Sequence, residues 1–364
     1  MRTRYYERDA FPPAVAELRR AYRVFVPVRR GDFHAFAEWD DSVRPDFDYR
    51  KTRVPPKGLV FPQSERLLVF STDERDPEHD ILREAPKDFP PQAVVGIRPY
   101  DAMAFRVLEV NFDTPEVRDP WWLRRREATT LIGLARADED ATMFRTENYA
   151  GPFDERGLDV IVYDLGRGYL AKALGEKGEA ALAAMGGDEP AADALREVEE
   201  RIARAATPEL PAGRLRAQPA APELPTGRLR AQPVVPLFEA EFWDEVAAPC
   251  LNCGVCTFLC PTCWCFDIQD EVRKQEGDRI RNWDSCMFPL YTLHASGHNP
   301  RGKKTQRVRN RFMHKLKYYL DKYDRGVMCV GCGRCVEACP VNIDIREVAA
   351  RMNGFGEQVE RHDR

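Results

Sequence analysis

The chain has 364 residues, 43% of them hydrophobic and 31% charged, enough for two packed domains in a soluble protein. A net charge of −4 and a pI near 6.0 carry no overall signal for a nucleic-acid or membrane-surface protein, so any charge argument has to be local. The opening MRTRYYERDAFPPAVAELRR lacks the apolar core of a secretory signal, and no later stretch runs far enough without charge to span a membrane; a cytoplasmic protein is expected.

Residues 1–185 predict a mixed α/β domain. Short apolar runs at Arg23–Val28, Ala93–Ile97, Thr130–Leu134 and Asp159–Val162 read as strands separated by helical patterns. Pro55, Pro56, Pro62, Pro90, Pro91 and Pro99 break the first hundred residues into small elements and exclude long helices there. The segment 186–235 predicts a short helix over Ala191–Ala205, with Leu195, Val198 and Ile202 on one face, and then a Pro-rich linker. That linker holds a tandem repeat, ATPELPAGRLRAQP at 206–219 and AAPELPTGRLRAQP at 220–233. Two copies are too few for a solenoid, so the repeat reads as a flexible spacer or, as the alternative, a partner-binding arm.

Helical patterns return in the domain 236–364, and with them the cysteines. All 11 fall after residue 249, most at ligand spacings, which favours metal binding over disulfides. Cys250, Cys253, Cys256 and Cys260 followed by Pro261 have the spacing C-x2-C-x2-C-x3-C-P, and Cys329, Cys332, Cys335 and Cys339 followed by Pro340 repeat it. Three thiolates two residues apart can curl around one face of a cubane, and glycines at 254, 331 and 333 let backbone N–H groups approach its sulfides. In two-cluster ferredoxins the fourth cysteine of each run serves the other cluster. The expected ligand sets are therefore Cys250, Cys253, Cys256 and Cys339 for one [4Fe–4S] cluster, and Cys329, Cys332, Cys335 and Cys260 for the other. A pair of zinc sites also uses C-x2-C pairs, but two four-membered runs ending in Cys-Pro fit it poorly.

The long stretch between the motifs looks helical and points to an α-helical ferredoxin domain. Within it Arg307, Arg311, Lys315 and Lys322 form a basic row beside an apolar row of Phe312, Leu316, Tyr319 and Tyr323. From Asn299 to Arg325 there are ten Lys/Arg against two Asp. That face is either a solvated helix surface or a patch that docks an acidic partner or an anionic cofactor, and its charge would raise a nearby cluster potential. Gly297–Lys304 nearly matches a phosphate-binding loop, but Lys304 stands where a Ser or Thr must hold Mg²⁺ and no strand precedes it. No dinucleotide fingerprint follows a strand, which places any flavin or nicotinamide on another subunit. Cys263, Cys265 and Cys286 remain. They read first as buried structural thiols, with ligation of a third centre or redox activity as the alternatives.

The strings CGVCTFLCPTCWCFDIQDE at 253–271, RNWDSCMFPLYTLHASGHNPR at 281–301 and CVGCGRCVEACPVNIDI at 329–345 resemble the β subunit of cytoplasmic nickel–iron hydrogenases and sulfhydrogenases, a family related to the A subunit of anaerobic sulfite reductase. PPKGLVFPQSERLLVF at 55–70, VVGIRPYDAMA at 94–104 and the run at 124–133 extend the resemblance through the N-terminal domain. It implies a non-catalytic, hetero-oligomeric subunit. Electrons would pass between a flavoprotein subunit, with FAD and a nicotinamide, and a catalytic metal subunit such as a nickel–iron hydrogenase. An anaerobic sulfite reductase-type complex, or a cluster-dependent redox sensor or scaffold, are the alternatives. Where family members carry N-terminal cysteines, this chain has Tyr100, Met143 and Arg145, which cannot replace thiolates as a set; no N-terminal cluster is expected.

Overall fold

The structure, a computed structural model, describes residues 2–206 and 223–355. Its strands in chain order are β1 Thr3–Glu7, β2 Arg23–Arg30, β3 Phe33–Glu38, β4 Ser64–Ser71, β5 Arg83–Glu84, β6 Gln92–Ile97, β7 Thr129–Ala135, β8 Val160–Asp164, β9 Gly168–Ala173, β10 Phe266–Arg273 and β11 Glu276–Trp283. The four predicted apolar runs are β2, β6, β7 and β8, and these run parallel at the centre of a seven-stranded sheet ordered β1-β9-β8-β7-β6-β2-β3. Every residue of β6, β7 and β8 is buried, as expected for parallel strands covered on both faces. The helix Pro99–Phe112 packs on one face, and Phe11–Glu17 with Glu176–Met185 on the other. The largest helix of the first hundred residues, Phe11–Glu17, is short, and Pro99 opens the longer one that follows, where a missing N–H costs nothing. Of the predicted helix at 191–205, formed over Ala192–Ala206, only Val198 of the three apolar residues is buried; Leu195 and Ile202 are exposed.

The stretch between the cysteine motifs is not all helix. Phe266–Trp283 folds into the β10–β11 hairpin, and β11 pairs antiparallel with β4, giving a second sheet ordered β10-β11-β4-β5. Thus a strand from the first 185 residues and a hairpin from the cysteine-bearing segment share one sheet. Arg281 of β11 anchors the seam. Its guanidinium, 2% exposed, donates to Glu65 Oε2 at 2.5 Å and to Asp119, and lies over the rings of Phe61, Phe112 and Phe266.

Most of the tandem repeat lies outside the described residues. The end of its second copy is anchored rather than free: Leu224 and Leu229 are buried in the same apolar cluster as Trp243, Phe312 and Leu316, and Gln232 Nε2 donates to the Asn353 carbonyl at 2.9 Å. No helix among the described residues is long and apolar enough to cross a membrane.

Candidate metal centre

Each cysteine run begins in a loop, passes through a left-handed glycine and enters a one-turn helix, Val255–Phe258 after Gly254 and Arg334–Glu337 after Gly333. The glycines of the second run also admit a segment of the first 185 residues. A Cβ on Gly331, at φ +61°, would stand 1.6 Å from the Phe144 carbonyl oxygen, and one on Gly333 2.6 Å from that of Thr142. The segment 142–148 is tied down along this contact. Phe144 N–H donates to Gly331 O at 3.0 Å, Thr146 Oγ1 to Cys329 O at 2.7 Å and Asn148 Nδ2 to Val327 O at 2.7 Å.

Two cavities border the runs. One is lined by Cys250, Cys253, Cys256 and Cys339, and also by Cys335; the other by Cys329, Cys332, Cys335 and Cys260. Each cavity thus gathers three thiols of one run and the last thiol of the other. Thiols arranged around a space suit a polynuclear cluster better than isolated zinc.

The basic row is directed inward, which corrects the reading of a solvated helix face for most of it. Arg307, Arg311 and Lys315 are buried and only Lys322 is exposed. Arg307 has a structural role, donating to the carbonyls of Met287, Arg301 and Gly302. Arg311 lines the first cavity, and its Nε finds no hydrogen-bond partner among the described residues. Lys315 lines the second, where its Nζ donates to Thr262 Oγ1 at 2.9 Å, to Met328 O at 2.8 Å and to Cys260 Sγ at 3.3 Å. Lys315 falls in a π turn, His314–Tyr318, set between the helical stretches Lys304–Met313 and Tyr319–Tyr323, an irregularity common at functional sites. Burial opposes both charges. The thiols outweigh it, Cys256 and Cys335 raising Arg311 and Cys260 and Cys263 raising Lys315. Among the described residues neither cation has a carboxylate partner, and two buried cations that each face cysteines fit an anionic group in each cavity.

Arg334, inside the second run, could not be read as important from sequence. It is 2% exposed, and its guanidinium grips Asp101 of the helix Pro99–Phe112 with bonds of 2.6 and 2.7 Å and Thr52 with bonds of 2.8 and 3.0 Å. Tyr100 and Met143 are buried in the large apolar cluster beside it, whereas Arg145 turns to the Ala205 carbonyl.

Cys263, Cys265 and Cys286 line neither cavity. Cys263 and Cys286 are buried and Cys265 is half-buried. Lys57, 3% exposed, donates to the Cys263 carbonyl at 2.9 Å and lies 3.9 Å from the centre of the Trp283 ring. Burial lowers its pKa, opposed by Cys263, Cys260 and Cys265. Gly297–Gly302 forms a loop with no strand directly before it, as the rejection of a phosphate-binding loop required.

Comparison with known proteins agrees with this geometry. Residues 249–343 match the family described as the 4Fe-4S dicluster domain. Over nearly its full length the chain is similar to the sulfhydrogenase 2 subunit beta of Pyrococcus furiosus, with 28% identity across 343 residues, 92% of this chain and 94% of that protein. The resemblance carried by the three cysteine-bearing strings thus extends to a curated relative. No solved structure matches the chain.

Proposed function

We propose that this chain is the iron–sulfur electron-transfer subunit of a soluble hydrogenase or sulfhydrogenase complex, holding two [4Fe–4S] clusters in an α-helical ferredoxin domain. The observation that carries the reading is the pair of cavities, each bordered by three thiols of one motif and the fourth of the other, with Arg311 at one and Lys315 at the other. Cys250, Cys253, Cys256 and Cys339 would hold one cluster, and Cys329, Cys332, Cys335 and Cys260 the second. Bound there, the clusters supply one-electron carriers. The protein's part is to exclude water, fix the thiolates and surround them with positive charge. Cys335 borders both cavities, so the two clusters would be neighbours.

The named relative is a sulfhydrogenase subunit, which supports a hetero-oligomer, and we place it in the cytoplasm as part of this proposal. A flavoprotein subunit binding FAD and a nicotinamide would exchange electrons with one end of the wire, and a catalytic metal subunit, a nickel–iron hydrogenase, with the other. Cys253 is the exposed thiol of the eight, which makes the first cavity the natural point of contact with a partner.

Iron and acid-labile sulfide on anaerobically purified protein test the reading. About eight iron atoms per chain are expected, with EPR of the reduced protein showing two spin-coupled cubanes. Zinc without iron would overturn it. Co-purified nickel supports the hydrogenase assignment, whereas sirohaem would move the subunit to a sulfite-reducing complex.

The buried lysine gives a second expectation. A unit charge about 6 Å from a cluster, at an effective dielectric of about 20, favours the added electron by roughly 3 kcal/mol. Lys315→Met should therefore lower the potential of the second cluster by on the order of 100 mV. A redox titration followed by EPR measures this, and an unchanged potential would show the charge to be screened.

A further inference from the structure

The second copy of the tandem repeat lies in a groove that holds it almost entirely by features the first copy shares. Leu224, 2% exposed, and Leu229, fully buried, pack into the apolar cluster of Trp243, Phe312 and Leu316. Three bonds hold the backbone around them. Leu224 N–H donates to the Arg145 carbonyl at 3.0 Å, Arg228 N–H to Asn353 Oδ1 at 2.6 Å, and Lys317 Nζ to the Arg230 carbonyl at 3.0 Å. Three side chains add to this: Gln232 Nε2 donates to the Asn353 carbonyl, Arg230 pairs with Asp324, and Thr226 Oγ1 donates to Glu147 Oε1 at 2.7 Å. Two walls of the groove also border the second cavity, which Phe144 lines from the segment 142–148 and Lys315 from the π turn His314–Tyr318.

The first copy, residues 206–219, lies outside the described residues and matches the second at 12 of 14 positions. In it Leu210 and Leu215 correspond to Leu224 and Leu229, Arg216 to Arg230, and Gln218 to Gln232. The three backbone bonds need no particular side chain. Of the contacts named, only that of Thr226 has no counterpart, because Ala212 stands at its position.

The ends of the connection allow the exchange. The Ala205 carbonyl, in the last turn of the helix Ala192–Ala206, accepts from the Arg145 guanidinium, and Glu223 forms a bridge with the Arg145 backbone. The chain therefore leaves the helix and enters the groove at the same residue. With the first copy in place, Glu209 takes the position of Glu223, four residues past Ala205; four extended residues reach roughly 14 Å, longer than an arginine side chain. Residues 220–233 then form the connection that residues 207–222 otherwise make. Connections of such similar length differ in closure entropy by a fraction of RT, so connectivity favours neither copy.

We propose that this groove is a binding site for the repeated peptide segment Glu-Leu-Pro-x-Gly-Arg-Leu-Arg-Ala-Gln-Pro, and that either copy of the same chain fills it. The groove takes one copy at a time, which gives the chain two registers fourteen residues apart. The Thr226 bond, made at the surface, tips the balance toward the second copy by a few-fold. None of this depends on what the two cavities hold.

The test is brief trypsin treatment of full-length protein purified anaerobically, followed by peptide mass analysis. Both copies carry the cleavable Arg-Leu-Arg, and the copy in the groove is the protected one. Cleavage is expected mainly after Arg214 and Arg216, with a minor product from Arg228 and Arg230. Exchanging the distinguishing residues, Ala212→Thr with Thr226→Ala, should reverse that ratio. Leu224→Asp with Leu229→Asp should move cleavage to the second copy and lower the unfolding equilibrium constant only a few-fold, since the first copy takes the groove. Adding Leu210→Asp and Leu215→Asp should lower it by roughly 100-fold more or prevent folding. The proposal fails if the two-leucine variant already loses as much as the four-leucine one, if it leaves both copies cleaved, or if the Thr exchange does not move the ratio. A dimer of the two-leucine variant in sedimentation would place the first copy in the groove of a second chain and overturn the same-chain assignment.

Discussion

Replacing Cys339 by Ala is expected to remove the cluster held mainly by the first motif, and Cys260→Ala the one held mainly by the second. The lining of the two cavities is the reason, since Cys339 stands with Cys250, Cys253 and Cys256, and Cys260 with Cys329, Cys332 and Cys335. In each single variant iron should fall from about eight to about four per chain, and the spin-coupled EPR signal should simplify to that of one cubane. Double variants identify which cluster was lost. Cys253→Ala added to Cys339→Ala should cost no further iron, because both residues serve one cluster, whereas Cys332→Ala added to Cys339→Ala should remove the remainder. The reverse pattern would mean that each run keeps its own fourth cysteine, and the crossed assignment would be lost. Crossing has a mechanical consequence. Thiols some eighty positions apart then share one cluster, so assembly of either cluster ties both ends of the domain together.

The parts of this arrangement that were legible in the sequence are those whose signal is local. The cysteine spacing names the cluster type within a dozen residues. The four central strands show as continuous apolar runs because they are covered on both faces. The β10–β11 hairpin escaped because it is largely solvent-exposed and carries charge along both strands; Ile268 and Val272 are 47% and 52% exposed. Its signal was a weak alternation of Phe266, Ile268 and Val272, with a turn at Lys274 that has a positive φ but no glycine to mark it. The basic row was legible as a row, but its direction was not. Whether Arg311 and Lys315 face water or thiols depends on which side of the helix meets the motifs, and that is a tertiary fact. Least legible was the hold of the first 185 residues on the second motif, made by Thr142–Asn148, Thr52 and Asp101 across large sequence separations. With no cysteines at Tyr100, Met143 and Arg145, these residues would act on a cluster in the second cavity through packing and charge.

Asp101 is where that action should be strongest. Its carboxylate, 1% exposed, forms two bonds to Arg334, which stands between Cys332 and Cys335. Asp101→Asn keeps the shape and removes the charge, leaving a guanidinium buried without its partner; a loss of about 3–5 kcal/mol in folding stability is expected. Denaturant unfolding of the anaerobic holoprotein measures it. Removal of a negative charge beside the cysteines should also raise the potential of the second cluster, opposite in sign to the effect of Lys315→Met. The double change Asp101→Leu with Arg334→Met tests the cause, since exchanging both charges for apolar groups should recover much of the stability that the single change loses. If Asp101→Asn left stability and potential untouched, the helix carrying Asp101 would be a neighbour of the second motif rather than a part of its electrostatic environment.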